Sequence, residues 1–206
     1  MVQFMKLKGF SLAETLCMLI VISVVALLFW QTVYMTYTKQ KAATKIKHFQ
    51  SVMKQVQLKA KKDYNDWDDY CVEPDSVTAE RFASNYILPY VTYLKKDTEE
   101  EGKIHIYLAD STSFYLQKTS CMTFILDING DLPPNIQGKD LFYFNYCPYN
   151  DSEFAKQGDF IPFLTKTMTS RDAALLKCAS SPMYCSGFIS FDNFDFSDDY
   201  PFRIPG

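Results

Sequence analysis

Four side chains carrying hard oxygen atoms fall within one short stretch, DINGDLPPNIQGKD: Asp127, Asn129, Asp131 and Asp140. Carboxylate and amide oxygens are the ligands that calcium takes, although the further alternate acids and the terminal Glu of an EF-hand are missing. The same residue types also build turns, because Asp and Asn bond their own backbone and N-G marks a tight turn. Pro133, Pro134 and Gly138 add a loop of fixed shape rather than a two-residue hairpin. Three readings therefore stand for this stretch: a structural turn, a calcium-stabilised loop and a contact for a partner.

Cysteine is the next chemistry-bearing type. Cys17 lies in an apolar run, whereas Cys71, Cys121, Cys147, Cys178 and Cys185 fall in the polar remainder, a density that points to an oxidising compartment. Cys178 and Cys185 enclose the short polar segment ASSPMY and are the first candidates for a disulfide. Cys121 and Cys147 are the second, since both border predicted neighbouring strands, which leaves Cys71 over. No C-x-x-C occurs, and with His48 and His105 alone a closed zinc site would need scattered ligands. There is no G-x-S-x-G, no phosphate-cradling glycine loop and no histidine beside a nucleophile, so no enzyme reading gains a foothold.

Glu14 poses the sharpest question. It stands one turn inside a run that extends from Phe10 to Trp30, about the ~20 residues that cross a bilayer as a helix. An ionised carboxylate there costs roughly 2.5–3.5 kcal/mol unless partnered, and the helix offers it no partner. The run is too long for a signal peptide and no small-residue cleavage site follows it, so the anchor is expected to be retained.

The residues around Glu14, KGF-SLAE, resemble the class III signal of type IV pilins and type II secretion pseudopilins: a short basic leader, Gly at the cut, Phe next, and Glu at the fifth mature position. That resemblance implies cleavage between Gly9 and Phe10 by prepilin peptidase and N-methylation of Phe10. It also implies that Glu14 pairs with the Phe10 amine of a neighbouring subunit. The implied partners are identical or related pilin-like subunits, the inner-membrane assembly machinery and the lipid bilayer. The loop from Asp127 to Phe144 is also similar to a D-I/V-N-G…P-N…G-K-D-x-F-x-F segment of a group of pilin-like proteins. In that group a cysteine pair precedes a tryptophan-containing strand, and Phe188 stands here in the place of that tryptophan.

The elements that must position these residues follow from periodicity. Helix signals run without Pro or Gly from Phe10 to about Asp63, and Ile46, Phe49, Met53, Val56 and Ala60 recur at three- and four-residue steps. The expected division is a leader at 1–9, a helix at 10–63 with its transmembrane half at about 10–31, and a globular head at 64–206. Ser76 or Thr78 is expected to cap a second helix, AERFASNYI, ending near Pro89. The run KKDTEEEG reads as a solvated turn. KIHIYLA, TSFYLQ, MTFILDI and LFYFNY then read as a four-stranded antiparallel meander, Ser170 as the cap of a helix RDAALLK, and GFISF as a last strand. The expectation is an α+β protein in which the long N-terminal helix packs on an antiparallel sheet.

Charge divides along the same lines. Residues 39–62 hold eight lysines and no acid, and Lys6, Lys8 and Glu14 add one more positive charge, so the chain's −3 leaves residues 63–206 at −12. The lysines after the span favour a cytoplasmic head by the positive-inside rule. The cysteines and the pilin-like signal favour an extracytoplasmic one, in the periplasm or on a surface filament, and that is the orientation expected here. An acidic head repels phosphate, which argues against nucleic acid.

Overall fold

The computed structural model describes residues 11–64, 78–98, 102–119, 122–146 and 159–205. Its contacts separate two compact units between Tyr37 and Thr38. One helix, α1 (Leu12–Asp63), runs through that boundary.

In the first unit every described residue from Ser11 to Tyr37 is exposed, including the large apolar side chains from Leu12 to Tyr37. The most apolar 18-residue window of α1 has a mean hydropathy of 2.6, which is enough in length and composition to cross a membrane. Several hydroxyls in this part are satisfied within the helix. Thr15 Oγ1 donates to the Leu12 carbonyl at 2.8 Å and Ser23 Oγ to the Leu19 carbonyl at 2.7 Å, so neither hydroxyl has to be solvated.

The second unit is built on the remainder of α1. Thr38, Ala42, Ala43, Ile46, Phe49, Met53, Val56, Gln57 and Ala60 are buried, the one-sided stripe that the spacing of apolar residues predicts. Each large side chain taken from water in this way contributes about 1.5–3 kcal/mol. Phe49 is the centre of the contact: its ring lies 5.3 Å from Phe114, 5.4 Å from Phe144 and 5.9 Å from Phe160.

Those partners belong to a sheet of six strands among the described residues: β1 (Tyr93–Thr98), β2 (Ile104–Leu108), β3 (Ser113–Lys118), β4 (Met122–Asp127), β5 (Leu141–Tyr146) and β6 (Phe160–Pro162). They pair antiparallel in chain order. Alternation sorts their side chains. Phe114, Leu116, Phe124, Leu126, Phe142 and Phe144 join the main core with α1, while Ile125, Tyr143 and Phe163 form a second, smaller cluster. The α+β arrangement expected from sequence is the one observed.

Two strands exceed the expected meander. KKDT makes up the last four of β1's six residues rather than part of a turn: its lysines suit an edge strand, where charge is tolerated and discourages further pairing. Lys95 pairs with Asp97 at 2.5 Å and Lys96 with Glu80 at 3.3 Å. The EEE that follows lies outside the described residues. β6 is a three-residue edge strand, short enough to end on Pro162.

A third departure is GFISF. It belongs to α4 (Cys185–Phe191), not to a strand. Cys185, Ser186, Gly187, Phe188 and Ile189 are all buried, and a short apolar run buried nearly all round has no one-sided period to tell helix from strand. The other helices follow expectation. Thr78 caps α2 (Ala79–Phe82), which continues through a π-turn at Ala83–Ile87 to a 3-10 turn at Leu88–Tyr90. Ser170 caps α3 (Arg171–Ser180) by accepting from Ala173 N.

Candidate functional site

Glu14 is the first residue to place. Its Oε2 accepts from Ser11 N at 2.8 Å, while Glu14 N donates to Ser11 Oγ at 3.3 Å. This reciprocal pair is a capping box, signalled in the sequence by S-x-x-E just before the apolar run. The expectation that Glu14 finds no partner in its own helix is therefore corrected: it has no opposite charge there, but it does satisfy an orphan N–H of the helix start. Gly9 and Phe10 lie outside the described residues.

The acidic loop joins β4 to β5, and the four residues singled out in it have different roles. Asp140 is fully buried and accepts from Asn135 N at 2.8 Å, from Ile136 N at 2.6 Å and from Asn129 Nδ2 at 3.4 Å. It folds the loop over itself by charge-assisted bonds to backbone. Asp127, 1% exposed, accepts from Asn129 N at 3.0 Å. Burial pushes its carboxyl up to about 7; the Asn129 N–H opposes the rise and the Asp140 charge adds to it. Asp131 is turned aside and accepts from the Tyr107 hydroxyl at 3.1 Å. Asn129 Oδ1 is buried without a hydrogen-bond partner.

Sequence reasoning passed over Asn135, which proves central to the loop. It has a φ of +50°, in the left-handed region that Asn tolerates better than most residues. Its side-chain amide nitrogen donates to the Leu132 carbonyl at 2.9 Å and to Asp127 Oδ2 at 3.2 Å. The P-P-N run was its signal: Asn after a fixed-φ segment is a common route into a positive φ.

The loop is braced by the C-terminal segment. Tyr200 donates its hydroxyl proton to the Gly138 carbonyl at 2.5 Å. Gly138 has a φ of +76°, and a β-carbon there would come within 3.0 Å of the Phe202 ring and 3.2 Å of Cys185 Sγ. Cys185 is bridged to Cys178, with 4.5 Å between their Cα atoms, so the expected disulfide forms and one of its sulfurs backs the loop. Cys71, Cys121 and Cys147 lie outside the described residues, although Met122 and Tyr146, the neighbours of the latter two, are register partners across β4 and β5. Cys17 is free and exposed.

Phe188 is buried in α4 with the Arg171 guanidinium 4.9 Å above its ring. Arg171 reaches Asp192 through Nε at 2.6 Å and Asp199 through both terminal nitrogens at 2.8 Å. These bonds hold both carboxyls below the usual carboxylate range. Several stem lysines are similarly engaged. Lys47 pairs with Asp195 at 2.8 Å, Lys39 with Asp198 at 3.7 Å, and Lys45 Nζ donates to the Ile128 carbonyl at 2.7 Å. The basic face of α1 thus receives the acidic tail.

Fold and site together define an α+β protein with a helix able to cross a membrane and an oxygen-rich, disulfide-backed loop at one end of its sheet. The chain belongs to the family of unknown function DUF6613, whose profile matches residues 32–204. No curated protein and no solved structure matches it.

Proposed function

We propose that this chain is a pilin-like subunit, inserted in the cytoplasmic membrane with its head outside, trimmed between Gly9 and Phe10 and polymerised through its N-terminal helix. It is read as a structural protein and a substrate of prepilin peptidase rather than an enzyme. The observation that carries the reading is the signal KGF-SLAE at the head of a helix whose first half is apolar and exposed all round and whose second half is striped and buried. A helix of that kind needs lipid, or other copies of itself, to cover its first half. The disulfide agrees with an oxidising compartment for the head.

A rival reading has an observation of its own. Because the Glu14 carboxylate is engaged by Ser11, its presence is also accounted for in a single-span protein that never polymerises and whose outer domain binds a ligand or a metal ion. Glu14→Gln separates the two. Gln still accepts from the Ser11 N–H but carries no charge, so capping survives while attraction to a neighbour's Phe10 ammonium is lost. The subunit reading expects normal processing and membrane insertion, with less of the variant than of the wild type recovered in sheared filaments relative to the membrane pool. Equal recovery would favour the non-polymerising protein.

A further inference from the structure

We propose that the tip of the β4–β5 loop, formed by Leu132, Pro133, Pro134 and Ile136, rests in the interface of a lipid bilayer and seats the head on the membrane that its own helix crosses. The inference depends on the membrane-spanning helix of the proposed subunit, and not on processing or polymerisation. The tip is apolar, uncovered and held in one shape. Leu132 is 65% exposed and Ile136 42%, and both prolines between them are exposed as well. One exposed apolar side chain is ordinary, but several on one projecting tip mark a contact surface. Asp140 fixes the tip through Asn135 N and Ile136 N, the Asn135 amide through the Leu132 carbonyl, and Tyr200 through the Gly138 carbonyl. A loop so braced keeps these side chains outward and loses little entropy on contact.

The direction of β4 places the tip within the head. The start of β4 lies level with Gln57: Met122 is the register partner of Tyr146, Tyr146 that of Phe160, and Phe160 N donates to Gln57 Oε1 at 2.8 Å. Its far end lies level with Lys45, whose Nζ donates to the Ile128 carbonyl at 2.7 Å. From Gln57 back to Lys45 the helix spans about 18 Å, and from Met122 to Ile128 the strand spans about 20 Å, so the two run side by side in opposite directions. The loop after Ile128 therefore continues toward the start of the head's helix at Thr38, about 10 Å before Lys45. A second tie agrees. Tyr200 holds Gly138, and the same tail is held to Lys39, whose Nζ donates to the Ser197 carbonyl at 3.4 Å.

That position selects lipid as the occupant. The residues just before Thr38 belong to the part of α1 that is apolar enough to cross a membrane, and with that part in a bilayer, whatever stands beside Thr38 to Lys45 stands at its surface. A protein partner suits the tip less well. A specific interface takes about 20–30 residues from each side, against the four side chains offered here. A bilayer demands no matching surface and admits apolar side chains about 5–10 Å into the boundary between headgroups and acyl chains. Asp131, the exposed acid next to the tip, accepts from the Tyr107 hydroxyl and is turned away from it.

The test uses single tryptophans in the full-length chain, reconstituted in phosphatidylcholine vesicles with and without bromine on the acyl chains near the headgroups. The chain has two tryptophans, Trp30 and Trp67. Trp67→Phe leaves Trp30, at the end of the apolar run, to report whether the helix is in the bilayer. With both replaced by Phe, Leu132→Trp reports on the loop tip. Leu58→Trp, at a site 69% exposed but roughly 30 Å along the helix from Thr38, reports on the far end of the head. Bromine is expected to quench Trp30, and to remove several-fold more emission from the Leu132→Trp chain than from the Leu58→Trp chain. Quenching of Trp30 with no more quenching in Leu132→Trp than in Leu58→Trp would overturn the proposal and leave the membrane helix standing. An unquenched Trp30 would overturn both. Emission of Leu132→Trp that shifts to shorter wavelength without any quenching by bromine would give the tip to a second copy of the chain, and would equally overturn the proposal.

Discussion

The two halves of α1 share one backbone state and differ in what surrounds them. From Leu12 to Tyr37 the helix is exposed on every side and apolar on nearly every side; from Thr38 to Ala60 it is polar on one face and buried on the other. A helix that is apolar all round is made for surroundings without water, whereas a striped one is made for a core with water behind it. Composition alone reports both as helix. The change in period between them marks where the part apolar enough to cross a membrane ends and the compact head begins.

That comparison breaks most readily at its strongest contact. Phe49→Ala removes the ring that meets Phe114, Phe144 and Phe160, and is expected to cost about 3–5 kcal/mol of head stability. Leu28→Ala, in the exposed half, should leave the head's melting within about 0.5 kcal/mol of wild type. Both are measured by thermal or denaturant melting of the full-length chain in micelles. Equal losses would mean that the two halves are not energetically separate.

A second, smaller effect concerns the loop and its support. The double substitution Cys178→Ser, Cys185→Ser opens a bridge spanning seven residues and is expected to cost roughly 2 kcal/mol, less than a longer loop would. Because Cys185 backs Gly138, hydrogen exchange should rise first around residues 135–141 and leave the Phe49 contact protected. Uniform deprotection would show that the bridge staples the whole head instead.

The smallest expected effect lies at the acidic tail. Asp192 and Asp199 are held below their ordinary range chiefly by hydrogen bonds from Arg171. The unfolded chain therefore binds protons at a pH where the folded one does not. Stability from these groups is fully present above about pH 4, the ordinary Asp value, and is lost as pH falls through their lower folded values. Arg171→Met should lower the melting temperature slightly at neutral pH and flatten its decline in acid. An unchanged acid limb would remove the tail from the account.

Much of this was legible in the residues. The stripe from Ile46 to Ala60, four of the six strands and the Ser170 cap follow from one-sided periodicity and local capping chemistry, while the Thr78 cap was one of two candidates beside Ser76. What escaped was decided by tertiary surroundings. GFISF lies in a helix whose residues from Cys185 to Ile189 are buried in succession and leave no one-sided period to read, and KKDT is a strand because a partner strand lies beside it. The loop was only half readable. Its acids were visible, but the split between Asp140 shaping the turn, Asp131 meeting Tyr107 and Asn135 facing Asp127 depends on side-chain direction. At Glu14 the S-x-x-E signal was present and was outweighed by the question of charge.

The central claim is that the apolar half of α1 begins as the processed end of a pilin-like subunit, and its most direct test is the mass of the mature N-terminus. The protein would be expressed in cells that possess prepilin peptidase, recovered from membranes, and its N-terminal peptide measured by mass spectrometry. The account predicts a chain that starts at Phe10 with one added methyl group on its amine, and an uncleaved chain when Gly9→Val is introduced. An N-terminus retaining Met1 in the wild type would contradict it.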